Sequence, residues 1–313
     1  MARVAALFPG QGSQQVGMGR DLAERWPTAA GAFAEIDRGL DVGLSELCWS
    51  GPDDELRLTT NTQPALLAHS VAAWRVLFER GFRAEAVAGH SLGEYSAVVA
   101  AGGLGAVDAA RTVRERGRLM QQAVPVGQGA MAAILGLDDD TVVAVCGDAS
   151  SEIGEPVVAA NFNSPGQVVI AGAVPAVDRA IEVCRERGAR RALPLPVSAP
   201  FHSPLMAPAR VGLEPTLRAL EFGALDVPLY RNVDAAPVRS PDEVRDGLIR
   251  QVDAPVLWTQ TVERLRADGF DTFVEVGAGS VLCGLVKRID RSATCYPAGT
   301  VEDIEKVVSE LIS

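Results

Sequence analysis

Gly89-His90-Ser91-Leu92-Gly93 places a serine between two glycines, with the short apolar strand Ala84 to Ala88 before it and a helical stretch to about Ala101 after it. In that setting the pattern reads as a nucleophile elbow. The tight turn projects the Ser91 hydroxyl beyond the sheet edge, and the glycines let neighbouring backbone pass without a Cβ. The N–H of Leu92, at the start of the following helix, is placed to donate to a developing oxyanion. A neutral serine needs a base, and the chain has three histidines. His69 falls within the apolar helical run Ala65 to Leu77 and reads as a packed helix residue. His90 sits on the elbow itself, where adjacent side chains diverge. His202 lies in the proline-punctuated loop Ser198-Ala-Pro-Phe-His-Ser-Pro204, the kind of segment that carries catalytic residues, and is the expected base. The residues alone do not name the group that orients it.

A third group stands out by its position. On the helical stretch Ala106 to Ala123, Arg111, Glu115, Arg118 and Gln122 form a polar face, whereas Arg116 interrupts the stripe Ala109, Val113 and Met120. A buried guanidinium is costly unless paired. Its partner is either a core carboxylate of the protein or a carboxylate on a substrate, which its planar fork would grip. Two glycine-rich turns complete the inventory. Gly10-Gln11-Gly12-Ser13 lacks the third glycine and the distal acid of a dinucleotide fingerprint, and Gly277-Ala278-Gly279-Ser280 also lacks the full spacing. Both read as strand-to-helix turns at a sheet edge, where open α/β sheets place ligands, and the first can bring a second N–H to an oxyanion.

The elements that must position these groups alternate strand and helix. Arg3 to Phe8, Ala84 to Ala88, Val227 to Val233 and Asp271 to Val276 read as strands. Gln15 to Trp26, Thr28 to Leu40, Gln63 to Arg80, Ala106 to Ala123, Val262 to Ala267, Ser280 to Ile289 and Val301 to Leu311 read as helices. Between Gly127 and Val197 the rhythm changes to βαββαβ, with Asn163-Ser164-Pro165-Gly166 as a hairpin turn. The expected fold class is α/β. A large hydrolase-like part with a mostly parallel sheet spans residues 1–126 and 198–313, and a small ferredoxin-like part spans residues 127–197.

Composition narrows the field further. The 313 residues are 48% hydrophobic and 22% charged, as in ordinary globular proteins. A net charge of -11 excludes a general nucleic-acid binder. Five scattered cysteines, none in a CxxC spacing, argue against a disulfide framework or a zinc site and for a reducing cytosol. No apolar run reaches the length of a membrane span, and no secretory signal pattern opens the chain. The expectation is a cytoplasmic monomer with no bound metal or permanent cofactor.

Together these residues resemble the malonyl-CoA:acyl carrier protein transacylases of bacterial fatty-acid synthesis. Along the whole chain, Phe8-Pro-Gly-Gln-Gly-Ser-Gln14, Gly89-His-Ser-Leu-Gly-Glu-Tyr-Ser-Ala97, Arg116-Gly117, Met131, Asn161, Pro200-Phe-His202, Gln251, Pro255-Val-Leu-Trp258 and Glu275-Val-Gly277 fall in the family's order. The resemblance implies a Ser91 acylated from malonyl-CoA, His202 as base, Arg116 on the malonyl carboxylate, and the N–H groups of Gln11 and Leu92 as the oxyanion hole. It further implies that the main-chain carbonyl of Gln251 orients His202 in place of an acid, and that an acyl carrier protein accepts the malonyl group. Phe201, beside the base, is expected to crowd an α-methyl branch. Exposed Arg190, Arg191, Lys287 and Arg288 are candidates for carrier docking or plain solvated surface. Two other readings share the elbow: a free-standing acyltransferase serving a polyketide synthase, and a serine thioesterase or hydrolase.

Overall fold

The computed structural model describes residues 3–197 and 199–312 of the chain; Ser198, the first residue of the His202 loop, lies outside them. The described residues form two sheets. The larger has six strands, β1 (Val4–Phe8), β2 (Ala86–Gly89), β7 (Leu229–Tyr230), β8 (Pro237–Val238), β9 (Thr272–Val276) and β10 (Thr294–Ala298), in the order β10-β9-β1-β2-β7-β8. All neighbouring pairs are parallel except β7 with β8. β1 lies between two parallel partners, which cover its edges, and both of its faces are covered by packed layers, so it reads as an unbroken apolar run. Ala6 and Phe8 join the core beneath the Thr59–Glu79 helix, while Ala5 and Leu7 join the opposite core with Val262, Phe273 and Trp258. The two-residue period of the strand thus sorts its side chains between two layers.

The smaller sheet holds β3 (Gly129–Leu135), β4 (Val157–Ser164), β5 (Gln167–Ala173) and β6 (Arg191–Pro194) in the antiparallel order β4-β5-β3-β6. The helices Asp139–Ile153 and Val174–Glu186 pack on it around Ala132, Ile134, Val168, Ile170 and Ile181. That is the expected βαββαβ unit, and the α/β class is as expected. β4 also touches the rest of the chain through its backbone. Asn161 makes a parallel bridge with Val256, whose N–H donates to the Ala160 carbonyl and whose carbonyl accepts from Phe162, both at 2.9 Å.

Several boundaries shift. The expected helix from Gln15 begins only at Arg20, because Gly17 and Gly19 adopt φ of 98 and 75, outside right-handed helix space. The helix expected from Gln63 begins at Thr59, which puts Pro64 inside it rather than in its first turn. The expected strand Val227 to Val233 shortens to Leu229–Tyr230. One disulfide, Cys283–Cys295, corrects the argument from cysteine spacing: the first turn of the Val281–Ile289 helix lies beside β10, bringing the two Cα atoms to 5.2 Å. Cys48, Cys146 and Cys184 are free and buried. Among the described residues no helix is long and apolar enough to cross a membrane, and no group of three or more His, Cys, Asp or Glu is placed to hold a metal.

Candidate active site

At the C-terminal end of β2 the chain turns sharply into the Gly93–Ala100 helix, with Ser91 at φ 51. A left-handed conformation in a non-glycine residue costs about 1–3 kcal/mol and persists only where its surroundings enforce it. They do so here. A Cβ on Gly89 would run into the backbone of Gly93, and one on Gly93 into the carbonyl of Phe8. The Ser91 N–H donates to Asn232 Oδ1 at 2.7 Å, and the Ser91 carbonyl accepts from Gln251 Nε2 at 2.8 Å. Asn232 Nδ2 donates to the Gly89 carbonyl at 2.6 Å. Two amide side chains therefore clamp the turn on both sides of the serine.

The hydroxyl of Ser91 lies 2.7 Å from His202 Nε2. On the other side of the ring, Nδ1 is 3.0 Å from the carbonyl of Gln251 and 3.2 Å from that of Ala254. Carbonyl oxygens only accept, so Nδ1 carries the proton and Nε2 is left free to take one from Ser91. His202 is 3% exposed, and its pKa is lowered to about 3, first by burial and then by the positive charge of Arg116. The ring is thus neutral, with Nε2 able to accept a proton. His202 also has positive φ, 59, in a turn closed by a 2.7 Å bond from Ser203 Oγ to the Pro200 carbonyl.

Arg116 is 2% exposed on the Ala106–Gln122 helix, in line with buried Ala109, Val113 and Met120. Its guanidinium donates from Nη1 to Gln63 Oε1 at 2.8 Å, and from Nη2 to Gln251 Oε1 at 2.9 Å and Ser91 Oγ at 3.1 Å. All three partners are neutral. Among the described residues its buried Nε has no hydrogen-bond partner, and its Cζ stands 5.7 Å from the centre of the Tyr95 ring. Of the two partners open to it from the sequence, a core carboxylate is not among its hydrogen bonds.

The remaining expected residues line the same cavity of about 220 Å³: Gln11 on its exposed rim, Leu92 at the elbow, and Phe201 beside the base. Among the described residues neither the N–H of Gln11 nor that of Leu92 has a protein acceptor. Met120, Met131, Val169, Leu195 and Val197 supply an apolar wall, so the cavity joins polar groups from around the large sheet to a surface borne largely by β3, β5 and the segment after β6. His69 is placed elsewhere, buried with Nε2 at 2.9 Å from the Gly299 carbonyl, and lies against a different cavity. His90 diverges from Ser91 as expected and meets Asn163 Oδ1 at 2.8 Å.

Three contributors escaped the sequence reading: Gln63, Asn232 and the side chain of Gln251. Nothing in their local pattern marks them, since each acts by presenting an amide to a backbone or guanidinium brought from far along the chain. Glu94, quoted only as part of a motif, is fully buried directly behind the elbow.

This arrangement can activate a serine, hold an oxyanion and receive an anionic acyl group. The description "acyl transferase domain" matches residues 6–308. The malonyl CoA-acyl carrier protein transacylase of Bacillus subtilis (strain 168) is 46% identical over 311 residues, 99% of this chain and 98% of that one. The structure of an acyl carrier protein S-malonyltransferase from Vibrio cholerae O1 superposes with a TM-score of 0.95 at 48% identity, covering 98% of this chain and 100% of that one. A malonyl-transacylase solved in complex with its holo type II polyketide acyl-carrier protein gives a TM-score of 0.96 at 45% identity, with 98% and 99% covered. The chain belongs to the acyl transferase family, among its malonyl-CoA:acyl carrier protein transacylases.

Proposed function

We propose that the protein moves a malonyl group from malonyl-CoA to the phosphopantetheine thiol of an acyl carrier protein, through a malonyl-Ser91 ester, and so supplies fatty-acid synthesis. The observation that carries this reading is the Arg116 guanidinium, buried without a carboxylate partner and 3.1 Å from the oxygen of a serine already hydrogen-bonded to a neutral histidine. In the first step Ser91 Oγ attacks the thioester carbonyl as its proton passes to His202 Nε2. The C–S bond then breaks, and His202 returns the proton to the departing coenzyme A sulfur. In the second step the carrier thiol gives its proton to His202 and attacks the ester carbonyl, and Ser91 Oγ leaves and recovers the proton.

In each step the carbonyl oxygen gains charge facing the N–H groups of Leu92 and Gln11, each contributing roughly 3 kcal/mol, about a hundredfold in rate. The Gln251 carbonyl keeps His202 in the required tautomer and steadies the imidazolium as it forms. Arg116 holds the distal carboxylate of the malonyl group, and its unpartnered Nε is a further donor in reach of that role. Phe201 narrows the space beside the carbonyl carbon against an α-methyl branch. Residues 127–197 act as a small lobe closing the acyl pocket. The enzyme works as a cytoplasmic monomer with no permanently bound cofactor. Exposed Arg190, Arg191, Lys287 and Arg288 offer positive charge to an acidic carrier.

The test is to mix the protein with malonyl-CoA alone, quench in acid and read the intact mass beside Ser91→Ala. A malonyl adduct on the wild type only is the expected result. Steady release of coenzyme A without an adduct would identify a hydrolase instead. The likeness to a transacylase captured with a polyketide carrier favours a second reading of the partner, and loading a fatty-acid and a polyketide carrier side by side separates the two.

A further inference from the structure

Glu94 touches no part of the acyl cavity, yet it lies at the centre of the hydrogen bonds that shape it. Its Oε2 accepts from the Asn232 N–H and from Gln251 Nε2, each at 3.0 Å. Through these it reaches every reacting group at one remove. Asn232 holds the Ser91 N–H and the Gly89 carbonyl. Gln251 holds the Ser91 carbonyl with Nε2, Arg116 with Oε1, and His202 with its main-chain carbonyl.

The chemistry of an amide gives this arrangement a direction. Gln251 has a donor end and an acceptor end of nearly the same shape, so its neighbours decide which way it faces. Glu94 Oε2 and the Ser91 carbonyl both require a donor, and Arg116 Nη2 requires an acceptor. Reversing the amide would set three acceptor oxygens together and point an N–H at a guanidinium. The orientation survives protonation of Glu94. A proton would sit on Oε1, which is buried with no hydrogen-bond partner among the described residues, leaving Oε2 an acceptor in both forms.

We propose that Glu94 is a positioning residue for recognition of the malonyl carboxylate, fixing the orientation of the Gln251 amide and through it the Arg116 guanidinium. The inference rests on the proposed role of Arg116. A merely structural Glu94 would affect all acyl groups alike, whereas this role acts on a charged acyl group more than on a neutral one.

The experiment compares kcat/KM for malonyl-CoA and acetyl-CoA in the wild type, Glu94→Leu, Glu94→Gln and Arg116→Ala, with thermal melts as a check on folding. Glu94→Leu keeps the bulk and removes the acceptor, and should cut the malonyl preference about tenfold, the value of one hydrogen bond to a charged group. Glu94→Gln can keep an oxygen where Oε2 stands and should hold the preference within about twofold. Equal losses on both substrates in Glu94→Leu would overturn the proposal. An unchanged preference in Arg116→Ala would overturn the carboxylate role of Arg116, and the proposal with it. Should Glu94→Leu fail to fold, Gln251→Met removes the three amide contacts, to Glu94, the Ser91 carbonyl and Arg116, while keeping the carbonyl that holds His202. It must lower the malonyl preference in the same way, and an unchanged preference there sinks the idea.

Discussion

The two sheets divide the work. The parallel sheet sends Ser91 off the end of β2, and the helices that carry Arg116 and Gln251 pack against the Gly93–Ala100 helix that follows it, so the hydrogen bonds at the reacting centre join elements of the large part of the chain. The antiparallel sheet contributes Met131, Val169 and, from β4, Asn161 and Asn163 to the cavity wall, with Leu195 and Val197 following β6, and these are side chains without charge. One region holds the reacting groups by hydrogen bonds, and the other sets shape mainly by packing, with Asn163 Oδ1 meeting His90 Nε2 from β4. Changes to the first should therefore alter rate, and changes to the second should alter which acyl group fits.

The sharpest break expected is His202→Ala. With Ser91 left unactivated, adduct formation from malonyl-CoA should fall by about 10⁴-fold or more, read by quenched mass spectrometry. Next in size is Arg116→Ala, which should reduce kcat/KM for malonyl-CoA by about 10²-fold while sparing acetyl-CoA far more. Equal losses on both substrates would deny the guanidinium its selective role. The low pKa of His202 gives a third expectation. Because the folded ring takes a proton only well below the ordinary imidazole value of about 6.5, the neutral base persists as pH falls. The acid limb of kcat/KM for acetyl-CoA should accordingly lie well under pH 6. In Arg116→Ala, which removes a neighbouring positive charge, that limb should move up.

Smaller effects are expected on the packing side. Phe201→Ser should raise the use of methylmalonyl-CoA relative to malonyl-CoA several-fold in direct competition, as one methyl group in an apolar pocket is worth about 1–3 kcal/mol. Val169→Ala should cost about 1–2 kcal/mol in urea denaturation and admit bulkier acyl groups, with the acid limb left where it was. A displaced limb would mean that the small sheet reaches into the chemistry after all.

The sequence exposes these two regions unequally. The elbow was legible because its steric demand is local: glycines at 89 and 93 answer backbone contacts within a few residues of Ser91 or from the adjoining strand. Arg116 was legible because a helix has a period, and a cation on an apolar stripe breaks it. By contrast, Asn232 and Gln251 act at the elbow from 141 and 160 residues away, and a lone amide carries no periodic signal. Two helices beyond the elbow also went unread. Ala207–Ala219 contains Pro215 in its interior and so does not read as an unbroken helical pattern, whereas Pro241–Gln251 opens on a proline at its first position, a helix-start signal that the reading passed over. The cysteine pair escaped because a separation of 12 residues says nothing of a helix turning back against the next strand.

The parallel bridge between Asn161 and Val256 has a consequence for any recombination of this chain with its relatives. Val256 follows Ala254, whose carbonyl lies 3.2 Å from the base, by only two residues. A graft that imports residues 127–197 from another protein also imports a new edge for this short segment to pair with. If that edge is displaced, one of the two carbonyls that face His202 Nδ1 moves although no residue near the histidine in sequence has changed. The small sheet is therefore not an exchangeable cassette for acyl preference. A functional chimera would have to carry the Ala254–Trp258 stretch along with it.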